Sequence, residues 1–505
     1  MSDVGNSSQV GPASRRRWWG VLVVCIGVMM SFVNVSSTLS ALSFIQQDLH
    51  ISGPTLIWVS SAFPLVMVSL LMSAGTFGEL YGRRRTYFAG VVLVGVGSLI
   101  AFLAGNAGVL IAGQAVMGVG AAAAMPTGLS IVSNTFPDAH ERVRAIGLWA
   151  STAGIGLAVG PLISGALLDA FSWHSVYLVN VVLAMVGAAL VPVFIVEGKH
   201  PSRRLDPVGV VLGTVATAAL AFAIIEGGSR GFGTVPSLAA YVLVAVSLPA
   251  FVVVELRHRD PMLDLRLFRS ASFTVIQLAA GSAMFGFVGI SLLAILYLQR
   301  VAHLDALSTG VHMLPWMVSY VVVSALAARV VRAVGFAATL TAGLVLMGVG
   351  ALAFLRVGIV DGYDAMWPPM LAIGIGSALL IGPSTAAAVN SVSSLQAGMA
   401  SAAVNTFRQL GSLLGVSILG TLVTTQFPQY LTRDLAGAGL RPGVAHGIVD
   451  AAAQGARPEV PSALRPLLDQ AVSEAFTSAL HLGFAVGGIA LLVAAIPTAI
   501  FVRQR

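Results

Sequence analysis

The stretch Gly75–Arg85 reads GTFGELYGRRR and separates two long apolar runs of the chain. Its glycines allow a tight turn and a close approach of the flanking segments. Glu79 and the three arginines at its end could form a charge network at one end of two helices. They could equally be a positively charged loop that only fixes the orientation of the chain in a membrane. The spacing alone does not separate these two interpretations.

The composition on either side of this turn is that of a membrane protein. Of the 505 residues, 57% are hydrophobic and 9% are charged, and the mean hydropathy is +0.91. Soluble domains carry about 25% charged residues, whereas a chain surrounded by lipid needs far fewer. We therefore predict an integral protein that contacts the lipid bilayer along most of its length.

The same composition argues against several classes of function. The net charge is +7, but the basic residues fall in short gaps between apolar runs, so we expect no nucleic acid as a partner. The single cysteine, Cys25, and the nine scattered histidines lack the spacing of metal ligands. Nucleophile and phosphate-binding motifs are not visible either. We therefore expect no enzyme activity, no metal and no cofactor.

A helix that crosses the hydrocarbon layer needs about 20 apolar residues, and the chain contains fourteen such runs. They cover residues 18–44, 56–78, 86–104, 108–134, 145–168, 176–196, 207–226, 236–255, 272–298, 308–328, 336–356, 368–390, 399–426 and 476–501. The first run is longer than the apolar part of a signal peptide, so we expect it to remain as a membrane helix.

An even number of spans places both termini on the same side of the membrane. In the short loops, arginine and lysine concentrate on the side that holds the N-terminus, which is the pattern of a cytoplasmic side. We predict a multi-pass protein of the inner (plasma) membrane with both termini in the cytoplasm. The long segment 427–475 is then external, and its short helical patterns fit a cap as well as a mobile loop.

Two spans carry stripes of small or neutral residues. GIGLAVGPLISGALL, residues 154–168, places Gly156, Gly160 and Ser164 on one helix face, and Pro161 can kink the helix there. LIAGQAVMGVGAAAAMP, residues 110–126, places Gln114 on a comparable face. Such stripes let neighbouring helices pack closely, which is also an ordinary feature of membrane proteins.

These motifs resemble those of the fourteen-helix drug:proton antiporter branch of the major facilitator superfamily. Gly75–Arg85 resembles the loop motif of the superfamily, and residues 110–124 resemble its fourth-helix motif. NTFRQLGSLLGV, residues 405–416, resembles a pattern near the penultimate helix of the branch. The resemblance covers nearly the whole chain. The residues that it assigns to the antiporter motif are Gly156, Gly160, Pro161 and Gly165, and those of a cytoplasmic gate motif are Gly75, Gly78, Glu79, Gly82, Arg83 and Arg84.

The resemblance implies an all-α membrane fold with two six-helix bundles around a central cavity and two additional helices between them. The bundles would rock and so open the cavity to each side in turn. The implied division is a cytoplasmic tail 1–17, an N-terminal bundle 18–200, two extra helices within 201–260, and a C-terminal bundle 261–505 that includes the loop 427–475. We expect a monomer.

At two positions the chain departs from the family pattern. Asn34 stands where relatives carry an aspartate, and Gln114 stands where they carry an arginine. A charge in mid-membrane costs about 2.5–3.5 kcal/mol on insertion scales, so losing one member of an ion pair would strand the other. Losing both leaves two amides that can bond each other or a ligand, although two unrelated changes would give the same sequence. The predicted substrate path consists of Asn34, Thr38, Gln114, Asn405 and Arg408.

Amides do not titrate, so we expect proton coupling to be weak, relocated or absent. His312 and His481 are candidate titrating groups, but each is also typical of a polar residue at a helix end. Arg408 is a charge inside a span, which makes it a functional hypothesis by default, and a structural role fits nearly as well. Without a deep carboxylate beside it, Arg408 favours neutral or anionic amphipathic substrates over cations.

The resemblance implies a secondary active transporter that exports hydrophobic or amphipathic small molecules, such as drugs or secondary metabolites, by alternating access. An uncoupled facilitator, or a transporter of lipids or neutral metabolites, is an open alternative, and protons as a partner are left open with it. A non-transporting membrane sensor is an alternative from another class. A sensor would be expected to carry a soluble domain, and the sequence shows none beyond the loop 427–475.

Overall fold

The structure is a computed structural model. It describes residues 12–136, 138–198, 207–231, 233–258, 264–359, 363–392, 396–437, 442–453 and 465–502. Every regular element within these ranges is helical. A lipid environment favours this outcome, because a helix satisfies its backbone N–H and C=O groups within one segment.

Six helices form the N-terminal bundle. They are α1 (Pro12–Leu49), α2 (Gly53–Tyr81), α3 (Arg83–Phe102), α4 (Ala107–Thr135), α5 (Ala139–Ala170) and α6 (Leu178–Phe194), with a 3-10 turn, Trp173–Tyr177, before α6. The main packing partners are α3 with α4, α2 with α4, α1 with α5, and α3 with α6.

Two further helices, α7 (Pro207–Arg230) and α8 (Val235–Arg257), follow the first bundle. They pack on each other, and α7 also packs along α2. The C-terminal bundle consists of α9 (Ala271–Leu296), α10 (Ala306–His312), α11 (Leu314–Ala353), α12 (Tyr363–Asn390), α13 (Ala397–Leu414), α14 (Gly420–Gly437), α15 (Pro442–Ala453) and α16 (Arg465–Phe501). One π-helical turn, Tyr297–Val301, follows α9, and another, Gly415–Leu419, joins α13 to α14.

Among the described residues, 13 helices are long and apolar enough to cross a membrane, one fewer than the number of spans predicted. The difference lies in α11, which has 40 residues. A straight helix of that length would measure about 60 Å, twice the hydrocarbon thickness. Gly335 interrupts it with φ 82° and ψ 170°, values that no α-helix contains. The two halves of α11 therefore correspond to the predicted spans 308–328 and 336–356.

Side chains at the helix starts satisfy backbone N–H groups that have no partner within the helix. Asn106 accepts a hydrogen bond from the Val109 N–H at 3.0 Å before α4. Before α10, the carboxylate of Asp305 accepts from the Ser308 N–H at 2.6 Å, and this bond lowers the pKa of the Asp305 carboxyl. These caps lie at the junctions between apolar runs, where the sequence predicts turns.

The segment 427–475, predicted as a cap or a mobile loop, is helical where the structure describes it. The predicted span 399–426 continues without a break as α14 to Gly437, and α15 packs on α14. Leu431 and Leu435 of α14 are buried, as are Ala445 and Ile448 of α15. The described part therefore fits a packed helical cap, while 438–441 and 454–464 lie outside the described residues.

Glycines bring α3 and α4 into backbone contact. A Cβ atom placed on Gly120 would lie 2.6 Å from the carbonyl oxygen of Gly90 and 2.6 Å from the backbone nitrogen of Val94. On Gly113 a Cβ would lie 2.8 Å from the backbone nitrogen of Ala101. Because backbone atoms cannot swing aside as side chains do, these small residues determine how closely the two helices approach.

We expect Gly120→Val to disrupt the N-terminal bundle, at a cost of at least about 1–3 kcal/mol, because the added atoms overlap backbone. Gly382→Val is the matched control, since a Cβ at Gly382 meets no atom within 4 Å. Thermal unfolding in detergent and the yield of monodisperse protein are the measurements. Equal stability of the two variants would show that α3 and α4 are not packed as described.

Candidate functional site

A neutral hydrogen-bonded cluster lies inside the N-terminal bundle. Asn34 Nδ2 donates to Gln114 Oε1 at 2.9 Å. Gln114 Nε2 in turn donates to Thr38 Oγ1 at 2.9 Å and lies 3.3 Å from the hydroxyl oxygen of Tyr177. None of these four side chains is more than 3% exposed. The two amides that the family resemblance sets in place of an acid and a base therefore contact each other, and we call these four residues the amide cluster.

One acceptor of the amide cluster is unpaired among the described residues. Asn34 Oδ1 is buried and has no hydrogen-bond partner among the described residues. Leaving such an atom unpaired costs about 1–3 kcal/mol, a cost that a donor group on a bound molecule would remove. Asn34 and Thr38 reach the cluster because they lie one turn apart on α1. Tyr177 lies in the 3-10 turn before α6, where no helical periodicity marks it, and the sequence did not predict it.

The remaining hydroxyl groups in the middle of α1 bond to backbone. Ser36 Oγ donates to the Phe32 carbonyl at 3.0 Å, and Ser40 Oγ donates to the Ser36 carbonyl at 3.0 Å. Ser36 Oγ also lies 3.3 Å from the carbonyl oxygen of Gly156 on α5. These serines therefore satisfy their hydroxyl groups within the helix, and Ser36 adjoins α5 rather than the amide cluster.

The predicted antiporter stripe packs α5 against α1. A Cβ on Gly156 would lie 3.1 Å from the Cβ of Phe32, and a Cβ on Gly160 would collide with the hydroxyl of Ser36. Small residues at these two positions allow the helices to approach within backbone distance. The stripe is thus a helix-packing surface inside the N-terminal bundle.

The same helix also contacts the C-terminal bundle. A Cβ on Gly154 would overlap the ring of Tyr320 on α11, and one on Gly310 of α10 would lie 3.0 Å from the carbonyl oxygen of Pro161. Gly165, the last residue of the predicted antiporter motif, is buried. The motif therefore lies where α5 packs against both α1 and the opposite bundle.

The turn of the loop motif is built around a carboxylate that the sequence did not predict. Gly82 has φ 113°, and a Cβ there would lie 2.6 Å from a carboxylate oxygen of Glu197. Glu197 Oε1 accepts from the Arg84 backbone N–H at 3.0 Å, and its Oε2 lies 3.8 Å from the Nε atoms of Arg84 and Arg85. The side chain of Glu79, predicted for this network, lies outside what the structure describes.

The other glycines of the loop motif pack α2 on α4. A Cβ on Gly75 would contact Pro126 at 3.6 Å, and a Cβ on Gly78 would collide with the side chain of Thr127. Arg83, which begins α3, is only 7% exposed. The motif thus combines helix packing with charge pairing at one end of the bundle, while its function as a gate stays a prediction.

Arg408 of α13 is buried against neutral oxygen atoms. Its Nη2 lies 3.0 Å from Ser384 Oγ and 2.8 Å from Thr385 Oγ1, both on α12. It also donates to the carbonyl oxygen of Ile381, while its Nε has no partner among the described residues. Asn405, one turn earlier, donates to a carbonyl of its own helix at 3.1 Å. Within the described part of the chain, no carboxylate balances the charge of Arg408.

A small cavity lies between the two bundles, and residues of both bundles line it. Its volume is about 10 Å³, which is room for roughly one water molecule. The residues that line it include Ser31, Phe63, Met67, Met284, Gln409 and Ser412. Ser31 precedes Asn34 by one turn, and Gln409 follows Arg408 directly. The cavity is therefore mainly apolar, with uncharged polar groups as its hydrogen-bonding partners.

Residues 24–416 match the family model of the Major Facilitator Superfamily. The chain belongs to this superfamily. It is 33% identical over 402 residues to "Multidrug resistance protein Stp" of Mycobacterium tuberculosis, covering 79% of this chain and 74% of that protein. It is 30% identical over 498 residues to "Multidrug efflux pump LfrA" of Mycolicibacterium smegmatis, covering 97% of each. A crystal structure of a POT family transporter in complex with 5-aminolevulinic acid shares the fold, with a TM-score of 0.65 at 16% identity over 98% of this chain and 97% of that one.

Membership of the Major Facilitator Superfamily confirms the predicted fold class and the multi-pass membrane character of the chain. It also confirms the family resemblance, from which Asn34 and Gln114 were singled out. The relatives are named as resistance and efflux proteins, which agrees with a transporter rather than an enzyme. The functions of individual site residues stay predictions.

In this major facilitator protein, hydrogen bonds join the two bundles on the side of the fold where α1 ends at Leu49 and α2 begins at Gly53. We call this side the Leu49 end. Ser43 Oγ donates to Gln299 Oε1 at 2.9 Å, and Gln299 Nε2 donates to the Ser40 carbonyl at 3.2 Å. Arg300 Nη2 donates to Gln46 Oε1 at 2.8 Å. Gln299 and Arg300 lie in a π-helical turn, a feature frequent at functional sites. The sequence did not predict this contact.

The two candidate titrating histidines also lie toward the Leu49 end of the superfamily fold. A ring nitrogen of His312 lies 2.7 Å from the carbonyl oxygen of Ser308, and one of His481 lies 2.9 Å from the carbonyl oxygen of Val357. Both therefore bond to backbone; His312 does so at the end of α10, whereas His481 lies inside α16, which begins earlier than the predicted span 476–501. A titrating function for either one stays a prediction.

Proposed function

We propose that this major facilitator protein exports neutral or anionic, hydrophobic or amphipathic small molecules across the plasma membrane by alternating access. The observation that carries this proposal is the neutral contact between Asn34 and Gln114, buried at 2.9 Å inside the N-terminal bundle. Relatives named for multidrug resistance and multidrug efflux support drugs or secondary metabolites as substrates and export as the direction.

The distribution of arginine supports the orientation that export requires. Arg16, Arg17 and Arg83–Arg85 lie at the end of the helices opposite the Leu49 end, and the positive-inside rule assigns that end to the cytoplasm. Both termini are then cytoplasmic, and the Leu49 end faces outward. The contacts at the Leu49 end support a conformation closed to the outside, which is one half of an alternating-access cycle.

The chemistry of the amide cluster supports a transporter in which protons are not carried through Asn34 and Gln114, because amides have no titrating group. The same observation favours an uncoupled facilitator, including one for lipids or neutral metabolites, as the second candidate. We further propose a monomer in which residues 18–200 and 261–505 are the moving bundles and α7 and α8 join them.

The double substitution Asn34→Asp with Gln114→Arg tests the proposed function in purified protein reconstituted in liposomes. We expect the wild type to move a neutral or anionic amphipathic dye and not an ethidium-like cation. The double variant should gain cation efflux driven by a pH gradient, because a titrating acid now lies beside a base. A gain of about tenfold, equivalent to ~1.4 kcal/mol, is the expected size.

Asn34→Asp alone is the matched control for this experiment. It places a lone charge in mid-membrane at a cost of about 2.5–3.5 kcal/mol, so we expect lower thermal stability and no gain of cation efflux. Two results would contradict the proposal: cation efflux by the wild type that a pH gradient drives, or a stable double variant whose substrates are unchanged.

A further inference from the structure

An apolar groove separates α7 from α8 in the half of these helices nearer the Leu49 end. Its volume is about 270 Å³, just below the range of about 300–1,000 Å³ typical of pockets for small molecules. The side chains that line it are aliphatic except for one tyrosine: Leu220, Ala223, Ile224, Tyr241, Val244 and Ala245. None of the predicted path residues is among them, so the groove is a separate feature of the fold.

The depth of the groove places it in the hydrocarbon layer of a membrane. Ile224 lies six residues before the end of α7, and Tyr241 lies six residues after the start of α8. At 1.5 Å per residue, both are about 9 Å from the helix ends, and Leu220 is about 15 Å from the end of α7. On α8, Val242 and Val246 are 64% and 65% exposed at this depth, as side chains that contact lipid are. The hydrocarbon layer holds no water, so an apolar chain is the occupant that suits the groove.

A positive charge lies above the groove at the end of α7. The side chain of Arg230 is 59% exposed, and its Nη1 lies 2.7 Å from Oε1 of Glu226. Because Glu226 is 1% exposed, the outward side of this ion pair is the positive one. A guanidinium group has five N–H donors, and their planar arrangement suits phosphate. Residues 231–254 contain no charged residue, so nothing on α8 near the groove opposes an anion at Arg230.

We propose that the groove and Arg230 together bind one phospholipid of the leaflet on the Leu49 side. The phosphate group accepts hydrogen bonds from the guanidinium of Arg230, and one acyl chain lies in the groove from Ile224 toward Leu220. The headgroup layer on each side of the hydrocarbon is about 5–8 Å deep. A phosphate beside the end of α7 therefore places its acyl chain at the depth of the groove, about 9–15 Å below.

The turn of α7 that borders the groove also contacts both bundles. The carbonyl oxygen of Ile224 accepts a hydrogen bond from Ser417 Oγ of the C-terminal bundle at 2.7 Å. Glu226 Oε2 accepts one from Trp58 Nε1 of α2 at 3.2 Å. An acyl chain in the groove thus packs against the turn that joins the two bundles. Bound phospholipid should raise the unfolding temperature, because a ligand of the folded state stabilises that state.

Native mass spectrometry of the full chain in detergent tests the site by counting bound lipids. The probes are dioleoyl phosphatidylglycerol and dioleoylglycerol, which has the same two chains without a phosphate. We expect the phospholipid to bind at about tenfold lower concentration than the diacylglycerol, because only the phosphate forms charged hydrogen bonds to Arg230. Thermal unfolding with and without each lipid is the second measurement.

Variants separate the groove from the charge. Ala245→Trp fills the groove from an exposed position, and it should lose both lipids. Ala239→Trp, at an exposed alanine of α8 that does not line the groove, is its matched control and should bind as the wild type does. Glu226→Gln with Arg230→Gln removes both charges, so that neither is left unpaired, and should bind the two lipids equally. Glu226→Gln alone breaks the same ion pair but keeps the cation, so it should still prefer the phospholipid.

The proposal is overturned if the wild type binds both lipids equally, or if Ala245→Trp binds them as Ala239→Trp does. It is also overturned if the double variant keeps the preference for phospholipid, or if Glu226→Gln alone loses it as completely as the double variant. A dimer mass that only Ala245→Trp returns to that of one chain would place a second copy in the groove and would overturn it as well. None of these measurements involves transport, so the lipid site and the proposed function can each fail without the other.

Discussion

A covalent tether between positions 43 and 299 is expected to stop transport almost completely. Ser43 Oγ lies 2.9 Å from Gln299 Oε1, and Gln299 also bonds the Ser40 carbonyl at 3.2 Å. These contacts join α1 of one bundle to the turn after α9 of the other. Alternating access by rocking bundles requires that they separate in the other half of the cycle. A tether that prevents separation should hold the protein in the conformation described here.

The experiment uses a Cys25→Ala background with Ser43→Cys and Gln299→Cys, treated with a short, reducible, thiol-reactive cross-linker. Transport should fall to the background rate on cross-linking and return on reduction. The matched control is Gln470→Cys with Glu474→Cys, two exposed positions one turn apart on α16, where the tether stays within one helix and transport should be unchanged. Full transport by a protein shown to be cross-linked at 43 and 299 would mean that the Leu49 end does not open.

The helices were predictable because lipid imposes one rule on every span, a run of apolar residues long enough to cross it. The division of α11 illustrates the limit of that rule. Arg329 and Arg332 indicate a gap between two apolar runs, whereas the structure keeps helical turns on both sides of Gly335 and interrupts them only at that residue. Hydropathy finds the apolar runs but does not show where helical hydrogen bonding ends.

The side-chain contacts of the site could not be predicted from hydropathy. Asn34 and Gln114 were paired in the prediction only because the resemblance supplied an acid and a base at those positions, and the structure then places their amides in contact. For the loop motif, Glu79 is the nearest acid in sequence, but the carboxylate that the structure places beside Arg84 is Glu197, after α6. It arrives there because α6 packs on α3. Gln299 was missed for the same reason, since its partners lie on α1 of the other bundle.

Arg408→Gln should separate substrate recognition from stability. Arg408 is 7% exposed and bonded to neutral oxygen atoms such as those of Ser384 and Thr385. Burying a charge without a counter-ion is costly, so replacing it with a neutral residue is expected to leave the free energy of unfolding unchanged or raise it. If the guanidinium group of Arg408 binds a negatively charged group of the substrate, the substitution removes a charged hydrogen bond worth ~2–3 kcal/mol. The affinity for that substrate should then fall about 100-fold.

The measurement compares an amphipathic carboxylate with its methyl ester as transported compounds, alongside thermal unfolding in detergent. Arg408→Gln should lose transport of the carboxylate and keep that of the ester, whereas Arg408→Lys should fall between, because lysine keeps the charge without the planar fork of donors. Arg433→Gln, at an exposed arginine of α14, is the matched control and should transport both compounds. Equal loss of both compounds together with a lower unfolding temperature would instead make Arg408 a structural brace between α12 and α13, and the preference for anionic substrates would then lack its main support.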